Sequence, residues 1–290
     1  MKRLPILLIL LCLLSGCGAA NTSCNIAATT LPVYEFSSRL CQGTPLTVSR
    51  LVTEEVSCLH DYSLNVRQVK TAQSADVIVL SGAGLEEFME DILEGVPNID
   101  ASAGIELICP EEAHDHDHGH GDHHHDSDPH IWLSPAHAKT MVRNIYKGLS
   151  GIYPEYTDLF LQNLTKLEED MDTLQTYGEN ALSSLSHTEL ITFHDGFSYF
   201  AQAFNLTILE AVEEESGSEA SAKELIHLIE EVEHHHLPAV FTERSGSDSA
   251  AGIISRETGC KLFALDMAMA GDSYFDAMYH NINTVKEALQ

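Results

Sequence analysis

The sequence predicts an α/β protein made of two β/α lobes with parallel sheets, joined by one long helix. Three observations lead there. Between residue 24 and about residue 149, short apolar or β-branched runs alternate with amphipathic segments. One long amphipathic stretch, 154–185, comes next. After His187 the alternation restarts. Strands alternating with helices give parallel sheets with crossover helices. The 290 residues are enough for two domains of ordinary size.

The N-terminus reads as an export signal. Lys2 and Arg3 form a charged start, and residues 5–14 are an apolar core about half as long as the ~20 residues of a spanning helix. Leu14-Ser15-Gly16-Cys17 then matches a bacterial lipobox, with cleavage expected before Cys17 and lipidation on it. Two or more acyl chains give stable anchoring. The rest is expected outside the cytoplasmic membrane and lipid-anchored to its outer face. The expected organisation is a signal peptide over 1–16 and a tether over 17–23. An N-terminal lobe over 24–152 carries a His-rich loop at 114–128. A linking helix over 153–186 and a C-terminal lobe over 187–290 complete the chain.

Within the first lobe, residues 24–30, 46–52, 76–80 and 105–109 read as strands, and 32–40, 65–73 and 85–93 as helices. Ser134 at an N-cap with Pro135 at the first helical position starts a helix that runs to about residue 149. In 154–185, apolar residues recur mostly every three or four positions, with Glu168, Glu169, Asp170 and Asp172 mainly off the stripe. Unbroken, a helix of about 30 residues spans roughly 45 Å; Gly178 is where it would divide into two. In the second lobe, 189–193, 206–211, 239–242 and 261–265 read as strands. Ser221 and Glu224 form a capping box ahead of a helix that ends at His234-His235-His236, and residues 274–288 form a last helix.

Composition narrows the function. With 44 acidic and 15 basic residues, the formal charge is −29, which excludes a nucleic-acid surface and suits cation attraction. Seven cysteines include none at CxxC spacing, so a cysteine-based zinc site is not expected. Cys12 leaves with the signal and Cys17 is lipidated. Of the five that remain, Cys41 and Cys58 are the first pair expected to form a disulfide. Eight of the 17 histidines lie between His114 and His130. His114, His116, His118, His120, His123, His124 and His125 alternate with Asp and Gly, a composition that suits borderline divalent cations but cannot pack. His130 differs: Pro129 stiffens it and Trp132 anchors it.

Four positions stand out by placement: His60 after the second strand, His130 at the end of the His run, and His194 and Asp266 directly after strands. Ligands of α/β sheets bind beyond the carboxyl ends of strands. Three imidazoles and a carboxylate form a four-coordinate set suited to zinc. Two from each half put the ion between the lobes. Glu243 is the competing carboxylate, or supports the site from behind; Asp61 and Asp195, each next to a candidate ligand, are expected to orient imidazoles. His234, His235 and His236 are expected at a helix C-terminus, where partial positive charge is favourable.

These motifs resemble a family. The lipobox, Cys58-Leu59-His60-Asp61-Tyr62, the run from Asp128 through Pro135, Phe193-His194-Asp195-Gly196-Phe197 and the Gly271–Asn283 tail are similar to the metal-binding lipoproteins of bacterial zinc/manganese ABC transporters. The resemblance implies two lobes on a rigid helix, with a metal ion held between them and delivered to a membrane permease. Matching motifs carry over His60, His130, His194 and Asp266 as ligands. His194 and the His-rich loop point to the zinc class, with manganese as the alternative cargo and an adhesin-like relative as the alternative role. The resemblance departs at Cys58-Leu59-His60, where Asp-Pro-His is commoner. A monomer without enzymatic activity is expected. An exported zinc hydrolase is the rival reading, and the chain carries neither HExxH nor GxSxG. Imidazole ligands must be neutral, so binding is expected to weaken below about pH 6.

Overall fold

The computed structural model describes residues 24–54, 59, 62–109, 127–212 and 220–290. The signal segment, Cys17, Cys58, His60, Asp61 and the seven histidines from His114 to His125 lie outside the described residues.

Two four-stranded parallel sheets form the frame. The first takes β1 (Ile26–Ala28), β2 (Val48–Arg50), β3 (Val77–Leu80) and β4 (Asn98–Asp100) in the order β2-β1-β3-β4. The second takes β5 (Glu189–Thr192), β6 (Thr207–Ala211), β7 (Ala239–Glu243) and β8 (Lys261–Leu265) in the order β6-β5-β7-β8. The two orders are the same pattern. Each sheet reverses its direction of winding at its centre, between β1 and β3 and between β5 and β7, the point at which open α/β sheets bind ligands. The central strands are buried on both faces: every residue of β1, β3 and β7 is buried. That is why they read as continuous apolar runs rather than alternating ones.

Helices α1 (Leu31–Leu40), α2 (Val66–Ser74) and α3 (Glu90–Leu93) serve the first sheet. Asn65 and Gln68 form a capping box at the start of α2. The expected helix over 85–93 shrinks to a 3₁₀ turn, Glu87–Met89, and the four residues of α3. The expected strand at 105–109 is not one. The fourth strand is β4, and the 105–109 segment is held outside the sheet: the Ile108 N–H donates to the Tyr199 hydroxyl at 2.9 Å, and the Ile108 carbonyl accepts from Asp128 N–H at 2.8 Å. Its apolar character serves contacts across the molecule instead of a ladder. Cys58, the partner expected for Cys41, lies outside the described residues. Cys41 is a free, buried thiol, and burial pushes its pKa up to about 12.

Helix α4 (Pro135–Ile152) starts as expected, with the Ser134 hydroxyl accepting from the His137 N–H. It packs on α5 (Thr157–Leu182), which is one unbroken helix of 26 residues. Its buried stripe runs through Phe160, Leu164, Leu167, Met171, Leu174, Gly178 and Leu182. Gly178 does not break it. A Cβ there would overlap the Phe204 ring, so glycine is required for close packing against the second lobe. The acidic residues off the stripe face cations on neighbouring helices: Asp170 pairs with Arg39, Asp172 with Lys139 and Glu168 with Arg143. Helices α6 (Ser198–Ala203), α7 (Ala222–His234), α8 (Ser249–Thr258) and α9 (Tyr274–Leu289) complete the second half. The capping box expected at Ser221 and Glu224 is present. Among the described residues no helix is long and apolar enough to cross a membrane.

Glu86 anchors the turn after β3. It accepts from the Thr29 hydroxyl at 2.6 Å and from the N–H groups of Ser81 and Gly82 at 2.7 and 3.0 Å. Burial outweighs these bonds and raises its pKa to about 7. Between the ordinary carboxylate value and that point, the folded chain holds a proton that the unfolded chain has released. Stability therefore declines as pH rises through this window, by at most about 1.4 kcal/mol per unit. In Glu86→Gln this part of the decline is expected to vanish, read as urea midpoints compared across the same pH range.

Candidate metal centre

His130 lies at the entry to a 3₁₀ turn, Ile131–Leu133, immediately before α4. It is 4% exposed. Asp128 fixes it twice: Oδ1 accepts from the His130 N–H at 2.9 Å and lies 2.8 Å from His130 Nδ1. A carboxylate only accepts, so Nδ1 carries the ring proton and Nε2 presents its lone pair. The Trp132 ring meets the imidazole edge to face at 5.3 Å.

His194 comes from the other half, two residues beyond β5. Its Nε2 lies 3.5 Å from the Nε2 of His130, with ring centroids 5.2 Å apart. That separation is close to the edge of a zinc tetrahedron, about 3.3 Å for Zn–N bonds of about 2.0–2.1 Å. Glu243, at the end of β7, places Oε2 3.6 Å from Nδ1 of His194. The contact is longer than a hydrogen bond and lies at the ring nitrogen other than the one nearest His130. Both residues flank the β5/β7 winding reversal.

Gly196 makes this approach possible. A Cβ there would lie 2.7 Å from His194 Cδ2, 3.0 Å from His130 Cε1 and 2.6 Å from Met267 Cε. Neither Asp128 nor Gly196 was assigned a role by sequence reasoning. Asp128 was the more findable, since an Asp two residues before a fixed His readily accepts that residue's N–H.

Asp266 is positioned differently. Asn281 clamps its backbone on both sides at 2.7 Å. Its Oδ1 accepts from Ala268 N–H at 2.8 Å, and its Oδ2 accepts from Arg244 at 2.9 Å. It lines a cavity of about 180 Å³ together with Glu243, Arg244 and Met267. The structure therefore brings His130, His194 and Glu243 together and puts Asp266 on the adjoining wall, turned toward Arg244. Asp195 is close enough to exchange electrostatic effects with Asp128 and His130. Its pKa is raised, by burial first and then by the Asp128 charge, with His130 opposing. Among the described residues, Asp128 is the carboxylate within hydrogen-bond distance of His130.

Removing the charge of Asp128 while keeping its shape is expected to weaken zinc binding by about 10–100-fold, the range for carboxylates behind a ligating imidazole. Competition of Asp128→Asn against a zinc indicator measures this.

Two parallel-sheet lobes sharing one long helix, each turning an imidazole to the same point, define a two-lobed metal-binding protein of the solute-binding class. The family profile described as zinc-uptake complex component A periplasmic (ZnuA) matches residues 26–288, and the chain belongs to this family. It is 28% identical over 243 residues to a putative metal-binding protein of Treponema pallidum, covering 79% of this chain and 76% of that one. It is 30% identical over 308 residues to the zinc-binding lipoprotein AdcA of Streptococcus pneumoniae, covering 99% of this chain but 61% of AdcA. The chain thus spans about three fifths of that relative's length. A crystal structure of ZnuA superposes with a TM-score of 0.79 at 26% identity, over 92% of this chain and 100% of that one. The Zn(II)-bound ZnuA-like domain of Streptococcus pneumoniae AdcA gives 0.76 at 25% identity, over 92% and 99%. A Mn-bound periplasmic metal-binding protein of Candidatus Liberibacter asiaticus shares the fold, with a TM-score of 0.78 at 20% identity over 91% and 99%.

Proposed function

We propose that this chain captures zinc between its two lobes and hands it to the membrane permease of an ABC transporter for uptake. In this reading it is a carrier that does no chemistry on its cargo, tethered by lipid on Cys17 at the outer face of the cytoplasmic membrane. The observation that carries it is the pair of Nε2 atoms of His130 and His194, 3.5 Å apart and supplied by different halves of the chain. His60 is the third imidazole, and Asp266 completes the set, with Glu243 as the alternative carboxylate. If Asp266 ligates, it exchanges Arg244 for the ion.

An ion bound to donors from both halves fixes their relation. The unbroken α5 and the shared core beneath it limit hinge motion, so release is a matter of small local shifts. An imidazole-rich set favours zinc over manganese, which prefers carboxylate, carbonyl and water oxygen. The histidines from His114 to His125 collect or relay zinc at lower affinity. The ends of that loop are held beside the site, because the Tyr199 hydroxyl donates to the Asp128 carbonyl at 2.9 Å while accepting from Ile108 N–H.

Deleting residues 114–125 while keeping His130 tests this division of labour. One tight zinc equivalent is expected to survive the deletion and to resist competition by manganese. Disappearance of the tight equivalent, or its ready displacement by manganese, contradicts the proposal.

A further inference from the structure

The C-terminal end of α7 gathers a second set of metal-ligating side chains. Glu231, His234 and His235 each offer one ligand atom, and these atoms all lie within 4.8 Å of one another. They occupy positions i, i+3 and i+4, which share one face of a helix. His235 is held from both sides. Its Nδ1 lies 3.1 Å from Oε2 of Glu189, and its Nε2 lies 3.5 Å from Oε2 of Glu231. The first contact is the carboxylate–imidazole pairing that orients a ligating histidine, with the other ring nitrogen left to face an ion. The second is close to the ligand–ligand edge of a zinc tetrahedron, about 3.3 Å. The His234 ring lies 4.8 Å from that of His235, centroid to centroid.

The backbone favours a cation at the same place. His234 ends α7, and His236 adopts a left-handed φ of 52° that turns the chain away. The terminal carbonyls give this end a partial negative charge.

We propose that Glu231, His234 and His235, with Glu189 behind His235, form a second divalent-cation site, for which zinc is the best-suited ion. Two imidazoles and a carboxylate are three protein ligands, and water fills the fourth position. The site is distinct from the one between the lobes. Glu189 opens β5, whereas His194 lies beyond its far end, about 16 Å away along an extended chain at about 3.3 Å per residue. A three-ligand site at the surface, with His234 exposed and Glu231 and His235 half-buried, binds more weakly than an enclosed four-ligand one, so it fills after the interlobe site.

The test uses the full chain and zinc chloride. Equilibrium dialysis at rising free zinc is expected to show one equivalent fewer in the double variant His234→Gln/His235→Gln than in the wild type, with the tightest equivalent unchanged. Glu231→Gln, a milder change on the helix surface, is expected to weaken the same equivalent by about tenfold or more, guarding against a folding defect in the double variant. Zinc-edge anomalous diffraction is expected to place a peak within about 2.0–2.2 Å of all three side chains. Equal stoichiometry in wild type and the double variant, or an unchanged affinity in Glu231→Gln, overturns the proposal. So does a peak completed only by a neighbouring molecule. Because His194→Ala leaves these residues untouched, the second equivalent is expected to persist in that variant, which separates this proposal from the one for the interlobe site.

Discussion

In His194→Ala the tight zinc equivalent is expected to fall in affinity by more than about 100-fold, beyond the range for an orienting carboxylate. The reason is geometric. His130 Nε2 is aimed at His194 Nε2 by a proton that Asp128 holds on the opposite ring nitrogen. Removing His194 leaves a well-aimed donor facing water instead of a second donor. The second half of the molecule then loses its imidazole grip on the ion, and the lobes are no longer tied through it. The His194 side chain is only 13% exposed, so circular dichroism on heating is run beside the titration to separate a loss of ligand from a loss of fold. Competitive titration gives the affinity. The sole tryptophan supplies a direct optical reporter, because Trp132 packs against His130. Its emission is expected to change on zinc addition in the wild type and not in the variant at the same zinc concentration.

Trp132→Ala is expected to produce the largest loss of stability, about 3–5 kcal/mol. Trp132 is fully buried, and it joins parts of the chain that are remote in sequence. Its indole N–H donates to the Met267 carbonyl at 2.8 Å, while its own carbonyl accepts from the Tyr274 hydroxyl at 2.8 Å. Tyr274 in turn packs edge to face on Phe36 of α1 at 5.0 Å, and its N–H donates to Glu35 at 2.6 Å. Truncation leaves a cavity and deprives the Met267 carbonyl of its donor, and an unpaired buried acceptor costs about 1–3 kcal/mol. The melting temperature is expected to drop by roughly 10 °C or more for a chain of this size. Trp132→Phe, which keeps most of the volume and loses the N–H, is expected to fall between the two. Circular dichroism followed on heating checks both. Zinc affinity is expected to decline in parallel, because Trp132 also supports the His130 ring.

Most of the frame was legible because its signals are local. β3 shows as an uninterrupted apolar run, α7 as a capping box and α5 as a stripe at steps of three and four. β4 was not legible: it has three residues, only Ile99 of them buried, and it exists because β3 offers a free edge. The 105–109 segment carries a strand-like composition, yet its partners are a tyrosine on α6 and the backbone of Asp128, which no local pattern encodes. α6 and α8 are short, and α8 ends at Gly259 in a left-handed conformation without a sustained apolar period before it.

The site shows the same division. His130 and His194 were findable from a stiffening proline and from placement after a strand. The geometry around the carboxylates was not. Asp266 and Glu243 both follow or end strands of one sheet, and only the three-dimensional arrangement shows one turned to Arg244 and the other beside His194. Gly196 carried no signal, because its role is an empty space that two imidazoles need.

The central claim is that one zinc ion joins imidazoles from both halves of the chain. Anomalous diffraction at the zinc edge from crystals of the protein carrying one equivalent tests it most directly. The account predicts a single dominant peak within about 2.0–2.1 Å of Nε2 of both His130 and His194. A dominant peak on the 114–125 histidines or at the end of α7, with the His130–His194 gap empty, would contradict it.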